Sequence, residues 1–279
     1  MGRRRRRLGS PAVSRDPTHD RPVARSPDHV RIRRVQLLRR LYAEQQARRS
    51  DEYLRGHGSD AFVRGTEQVF EWYRPYLPDG GRILDWGCRH APDACLLAAE
   101  AEGELAIDGC DTVEPDRYEV FHEAARLRYR RLEHEYELPY EKGSFDAVIA
   151  AGVLEHVPME YESIKELSRV TRTGGILVVT FLPNRWSLHE MRARRVAEDL
   201  HRAGEAHHLR TYRLGRVRQL LQATGFVVRV AGYQTHFDLL PLEPSASARR
   251  RTLSAAGRAL GVGRLAPCLG LVAERLDYF

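Results

Sequence analysis

Lysine is almost missing from this chain. Of its 45 Lys and Arg residues only Lys142 and Lys165 are lysines. Such a ratio fits the codon bias of a GC-rich genome, so part of the arginine content needs no functional explanation. A basic body is missing as well. Residues 1–50 hold 15 arginines against 4 acids (Asp16, Asp20, Asp28 and Glu44), while the rest of the chain carries 30 basic and 34 acidic side chains. The formal net charge of +7 therefore belongs to the leading segment. The body offers no basic face of the kind nucleic acid requires, and nucleic acid is disfavoured as a partner. Cysteine pairs are missing too. Cys88, Cys95, Cys110 and Cys268 show no CxxC spacing, which argues against a disulfide framework and reads as reduced core thiols of a cytoplasmic protein. A zinc site built on Cys88, His90 and Cys95 lacks the two-residue spacers and the second pair, so no metal is expected. No run of 18 apolar residues is found, which excludes a spanning helix. The opening "MGRRRRRLGS" has no apolar stretch behind its arginines and does not read as a secretory signal.

Residues 1–28 are Arg, Pro, Ser and Asp with little to bury and read as a disordered basic tail. Peripheral contact with an anionic membrane through this basic segment is one reading of it, a solvated tail the other. Residues 29–78 read as an N-terminal helical cap. One helix spans Val30 to Arg49, with Val35, Leu38, Leu41 and Tyr42 on one face, and a second runs from about 59 to 76. After the turn at Pro78–Gly81 the pattern alternates. Strands are expected at 82–86, 105–111, 145–150, 176–181, 226–233 and 268–275, with helices at 92–102, 116–129, 161–170 and 209–224. This alternation implies a mostly parallel sheet with helices on both faces, whose ligands sit at the carboxyl ends of the strands.

Those ends carry acids. The first strand runs into "ILDWGCRHAPD", residues 83–93, with Asp85 and Gly87; the second ends at Asp111. An acid there is placed to accept both hydroxyls of a ribose, or to cap the following helix. Further on come "LPYEKGSFDAVIAAGVLEHV", "VTRTGGILVVTFLPN" and "HHLRTYRLGRVRQLLQATGF". These linked blocks, over roughly residues 80–235, closely resemble class I S-adenosylmethionine-dependent methyltransferases, nearest the branch of the ubiquinone and menaquinone pathways. The resemblance implies a Rossmann-like seven-stranded sheet with its last strand antiparallel, for which "CLGLVAER" is the candidate. It implies S-adenosylmethionine as cofactor, with the methionine part near Gly87, Cys88 and Arg89. The ribose would sit on Asp111 and the adenine by His134 and Glu135. Ala150, Ala151 and Gly152 would pass close to the methionine end, and Glu155, counted with the cofactor residues, would border the acceptor together with His156.

The family loop is acid-x-Gly-x-Gly-x-Gly. Here Arg89 and Ala91 stand where the later glycines fall. Holding a non-glycine residue in the left-handed region costs about 1–2 kcal/mol, which a folded domain absorbs. Arg89 either pairs with the cofactor's carboxylate or faces solvent. Some quinone-pathway relatives bind a divalent metal through Glu-x-x-Glu-His, but Gly152 replaces the first Glu here. Methyl transfer to a hydroxyl or a protonated amine needs a base. His156 ranks first, then His207 and His208, with Asn184 to orient the acceptor. The implied function is methylation, at oxygen or nitrogen, of a small-molecule or lipid-linked acceptor. Its pocket is expected from the helices before residue 80 and from insertions at 185–208 and 244–266 of a methyltransferase domain spanning 79–279. The alternative is a catalytically inactive cofactor-binding subunit. A nicotinamide-dependent oxidoreductase is disfavoured because G-x-G-x-x-G is absent. The oligomeric state is not legible.

Overall fold

A computed structural model describes residues 27–101, 103–187, 209–234 and 266–277. The expected alternation builds a seven-stranded sheet. β1 is Gly81–Trp86, β2 Leu105–Asp111, β3 Arg128–Arg131, β4 Phe145–Ala151, β5 Thr171–Pro183, β6 Phe226–Gln234 and β7 Cys268–Arg275. Their order is β3-β2-β1-β4-β5-β7-β6. The first five strands are parallel. β7 lies between β5 and β6, antiparallel to both. "CLGLVAER" is therefore the antiparallel strand expected. Among the described residues the α-helices are α1 (Pro27–Arg48), α2 (Glu52–His57), α3 (Asp60–Tyr73), α4 (Pro92–Glu100), α5 (Glu119–Ala124), α6 (Glu160–Val170) and α7 (Leu214–Ala223).

One apolar cluster covers each face of the sheet. Ile83, Ala147, Ile149 and Val178 point to one side, where α1, α3, α4 and α5 supply Leu38, Phe70, Leu96 and Phe121. Leu84, Val148, Leu177 and Leu271 point to the other, against Ile164 and Leu167 of α6 and Val217 and Leu221 of α7. Consecutive strand residues thus serve opposite layers, as the pleat requires.

The helix expected over 209–224 begins only at Leu214, because Tyr212 is drawn into a bridge with Asn184. Two further elements differ from the sequence expectation. The helix expected over 116–129 is a 3-10 turn at Pro115–Tyr118 followed by the short α5. Arg126 leaves it with φ 49°, and Arg128–Arg131 becomes the edge strand β3. No glycine marks that stop, and an edge strand reading Arg-Tyr-Arg-Arg has no apolar run to announce it. The second is α2. Its N-terminus is capped by Asp51, whose Oδ1 accepts from Leu54 N–H at 3.4 Å.

α1 is fastened to the body by polar groups as well as by Leu38 and Tyr42. Glu67 of α3, fully buried, lies 3.0 Å from Arg31 Nε and 3.2 Å from Arg34 Nη1. Gln45 accepts from Val120 N–H at 3.1 Å and donates to the Arg117 carbonyl at 3.2 Å, tying α1 to the start of α5. Replacing Glu67 by Ala leaves Arg34 poorly compensated in a mostly buried position. Arg34 keeps its bond to Glu100. The expected loss is therefore at the lower end of the range for broken buried pairs, about 3 kcal/mol, read as a shift in the urea midpoint.

Candidate active site

The carboxyl ends of β1, β2, β4 and β5 open onto one cavity of about 730 Å³. That lies within the range of small-ligand and cofactor sites, about 300–1,000 Å³. Asp85, Trp86 and Gly87 reach it from β1, Asp111 from β2, Ala151 and Gly152 from β4, and Phe181 from β5. Glu135, Glu155 and His156 line it from loops, and Tyr53, His57, Phe62 and Thr66 from α2 and α3.

The loop after β1 keeps its shape without its later glycines. Gly87, Arg89 and Ala91 have φ of 67°, 47° and 54°, so every second residue is left-handed. Local bonds hold the two non-glycine residues there. Arg89 N–H donates to Asp111 Oδ2 at 2.9 Å, and the Arg89 carbonyl accepts from His122 Nε2 at 2.7 Å. Ala91 N–H donates to the Cys88 carbonyl at 2.6 Å, and the Ala91 carbonyl accepts from Cys95 N–H as α4 begins. The Arg89 guanidinium lies 4.2 Å from the centre of the Tyr53 ring, so this exposed side chain joins the loop to α2. Glycine is required at position 87, where a Cβ would come within 2.6 Å of Val153 Cγ2.

Asp111 closes the same loop. Its Oδ1 accepts from Thr112 N–H at 2.6 Å and from Val113 N–H at 3.3 Å, while Oδ2 takes Arg89 N–H. The Thr112 hydroxyl also donates to Oδ1 at 3.4 Å, so the capacity left for a ligand is on Oδ2, which holds one bond. Beneath the loop sit two buried acids. Asp85 and Asp93 are each 3% exposed and both line the cavity. The Tyr73 hydroxyl donates to Asp93 Oδ1, whereas Asp85 Oδ2 is buried without a partner. Burial, Asp93 and Asp111 all push the Asp85 carboxyl well above the carboxylate range. Burial raises Asp93 to about 6, with the Tyr73 bond working against it.

Histidine is concentrated on the α2 side. His57 Nδ1 is 2.7 Å from the Tyr53 carbonyl, which can only accept. That bond puts the proton on Nδ1 and leaves the Nε2 lone pair. The ring lies tilted by 31° against Tyr53, with centroids 3.8 Å apart, and meets Phe62 edge-on at 4.3 Å. Burial lowers its pKa, and nearby Arg89 adds to this against the Tyr53 carbonyl and Asp51. His90, also buried, bonds the Tyr42 hydroxyl through Nε2 at 2.7 Å. Burial, His57 and Arg89 drive its pKa well down.

The cavity thus brings together Asp85, Gly87, Cys88, Arg89, Asp111, Glu135, Ala151, Gly152, Glu155 and His156. His156 is half exposed, with Nε2 3.9 Å from Glu155 Oε1. Two candidates stand elsewhere. His134 is exposed, stacked on Tyr136 at 5.3 Å, and off the cavity wall; Glu135 takes the place beside it. Asn184 is buried and off the wall too, donating to the Ala266 carbonyl at 2.8 Å and accepting from Trp186 N–H at 3.2 Å. Its amide braces β5 against the segment leading into β7. His207 and His208 lie outside the described residues, as do most of 185–208 and 244–266 and nearly all of the tail. His57 escaped the sequence reading because α2 did. Its only signal is the i, i+4 pair Tyr53 and His57 behind the Asp51 cap.

A Rossmann-like sheet with acids at the ends of β1 and β2, around a left-handed loop, defines a nucleoside-cofactor fold. Comparison with known proteins makes this specific. A methyltransferase-domain family model matches residues 56–230. The chain belongs to this family of class I S-adenosylmethionine-dependent methyltransferases, whose cofactor is S-adenosylmethionine. It is 29% identical over 141 residues to the methyltransferase GfsG of Streptomyces halstedii, covering 48% of each chain. It is 31% identical over 115 residues to the 27-O-demethylrifamycin SV methyltransferase of Amycolatopsis mediterranei, covering 37% of this chain and 39% of that one. These matches span half or less of the relatives' own length, and neither relative carries a quinone-pathway name. In fold the chain is similar to an S-adenosylmethionine-dependent methyltransferase from Archaeoglobus fulgidus, with TM-score 0.57, 17% identity, and coverage of 81% of this chain and 100% of that one.

Proposed function

We propose that this protein transfers a methyl group from S-adenosylmethionine to an oxygen or nitrogen of a small-molecule or lipid-linked acceptor. The observation that carries the reading is the loop after β1. Left-handed backbone at 87, 89 and 91 persists despite two substituted glycines, with the Asp111 carboxylate bonded against it. The cavity's donor set fits the cofactor. The unpartnered Oδ2 of Asp85 suits a cationic group, and Asp111 suits a ribose.

S-adenosylmethionine, when bound, supplies a methyl group already activated on a sulfonium. The chain then has to align the acceptor, exclude water and accept a proton. α2 and α3 roof the cavity with Tyr53, Phe62 and Thr66, and Phe181 faces it from β5. His57 is the strongest base candidate in this reading, because its tautomer is fixed with the Nε2 lone pair free and its ring is clamped. His156, half exposed, is the second. The rifamycin relative by its name methylates a small molecule, which supports an acceptor of that class.

Incubating the protein with S-adenosylmethionine and panels of phenols, alcohols and amines, and following S-adenosylhomocysteine release, tests the reading. With a turned-over acceptor, His57→Gln is expected to lower kcat/KM by about 10²–10⁴-fold while leaving S-adenosylhomocysteine affinity within a few-fold. Because burial and Arg89 hold the His57 imidazole below its ordinary 6.5, the acid limb of the wild-type pH profile should fall below pH 6.5. An unchanged limb in the variant passes the role to His156.

A further inference from the structure

Asp85 and Asp93 pose a problem of charge that the cofactor reading leaves open. Both carboxyls are buried, both line the cavity, and among the described residues neither has a cationic partner. Asp111 adds a third acid close by. The other titratable neighbours bring no positive charge. Cys88, Cys95 and Cys110 are buried thiols kept neutral by burial and by these same acids. Arg74, the cation nearest Tyr73, is committed to Asp79 and Glu100. Arg89 directs its guanidinium at Tyr53. Two buried carboxylates without a counterion cannot both stay charged, so the pair keeps a proton.

The hydrogen bonds say where that proton sits. The Tyr73 hydroxyl donates to Asp93 Oδ1, which favours the ionised form of Asp93. Asp85, which lines the cavity, accepts a backbone bond from Ala94 but leaves its buried Oδ2 without a partner. We infer that the amino-acid end of the cofactor enters this cavity in exchange for a proton on Asp85, and that Tyr73 is the positioning residue that assigns the proton to Asp85 by holding Asp93 ionised. The inference rests on the cofactor reading above. The exchange balances: one ammonium replaces one proton, which leaves to the buffer, and both carboxylates then face a bound cation. Binding must therefore strengthen with rising pH. The ligand-free Asp85 carboxyl is held above the carboxylate range and the bound one returns towards it, so the association constant should climb by about tenfold per pH unit between those limits. The window closes where an α-amino group itself loses its proton, at about pH 7.7–8.0.

Calorimetry with S-adenosylhomocysteine as the probe decides the matter without any acceptor. Titrations between pH 6.5 and 7.5, above the value of about 6 to which Asp93 is raised, in buffers of differing ionisation enthalpy, count the protons released. About one per bound ligand is expected for the wild type, and none with adenosine, which lacks the amino-acid end. Asp85→Asn should bind more weakly and release none. Tyr73→Phe frees Asp93 to hold a second proton, so release should rise above one near pH 6.5; a purely structural tyrosine would not produce that rise. Thermal melts establish that each variant is folded. Saturable binding with buffer-independent heat, or equal proton release with adenosine, overturns the exchange while leaving the cofactor site intact. No saturable binding of S-adenosylhomocysteine to the folded wild type overturns the cofactor reading itself, and this inference with it.

Discussion

Asp111→Ala should weaken S-adenosylhomocysteine binding by about a hundred- to ten-thousandfold, measured by calorimetry at fixed pH. In the proposed complex the carboxylate accepts two ribose hydroxyls, and bonds to a charged group contribute about 1.5–3 kcal/mol each. At 1.4 kcal/mol per factor of ten, two such bonds account for the expected loss. The same carboxylate accepts Arg89 N–H and Thr112 N–H, so its removal also frees the substituted loop. Asp111→Asn separates the two effects. It keeps one acceptor oxygen for a backbone amide but loses the charge, and an intermediate affinity is expected. Undiminished binding by Asp111→Ala would take the ribose away from β2.

The second large effect is expected at Gly87. Its φ of 67° costs an alanine about 1–2 kcal/mol. The added Cβ would also sit 2.6 and 2.7 Å from the two Val153 methyls, and overpacking of this kind costs about 1–3 kcal/mol. Gly87→Ala should therefore lose about 2–5 kcal/mol of stability, read from urea unfolding. Because Val153 lines the cavity, cofactor affinity should fall with it. The double variant Gly87→Ala/Val153→Ala gives the new methyl room and should recover the packing part of the loss, leaving the backbone strain. Equal instability of single and double variants would show that the clash contributes nothing.

Much of the sheet was legible from the sequence because each buried strand is short, apolar and closed by a turn signal. "FDAVIA" and "ILVVTF" admit few other readings, and the span of "CLGLVAER" agrees with β7 at both ends. β3 was not legible, because an exposed edge of arginines carries no hydrophobic period. α2 was not legible because six residues with a single buried one, Leu54, fall below any periodicity. The site divides in the same way. Acids and glycines at strand ends follow from chain order, since a parallel sheet gathers them at one edge. The contributions of α2 and α3 depend on how helices outside that order fold back over the edge, and local sequence does not encode this. Arg89 and Ala91 raised the question of a lost site from sequence. The partners that hold them, Asp111, His122, Cys88 and Cys95, become neighbours only after folding.

The place of β7 bears on how the chain is made. Among the described residues β6 has no other neighbour in the sheet, so Phe226–Gln234 leaves the ribosome as a largely apolar strand without a mate. It must wait until Cys268–Arg275 has followed, and at about 5–20 residues per second that wait lasts seconds. Over the same interval β5 presents one bare edge to the cell. A nascent chain with two unpaired hydrophobic strands is a natural client for holding chaperones. The yield of this protein in a heterologous host should therefore respond more to chaperone supply and slower growth than its folded stability alone suggests.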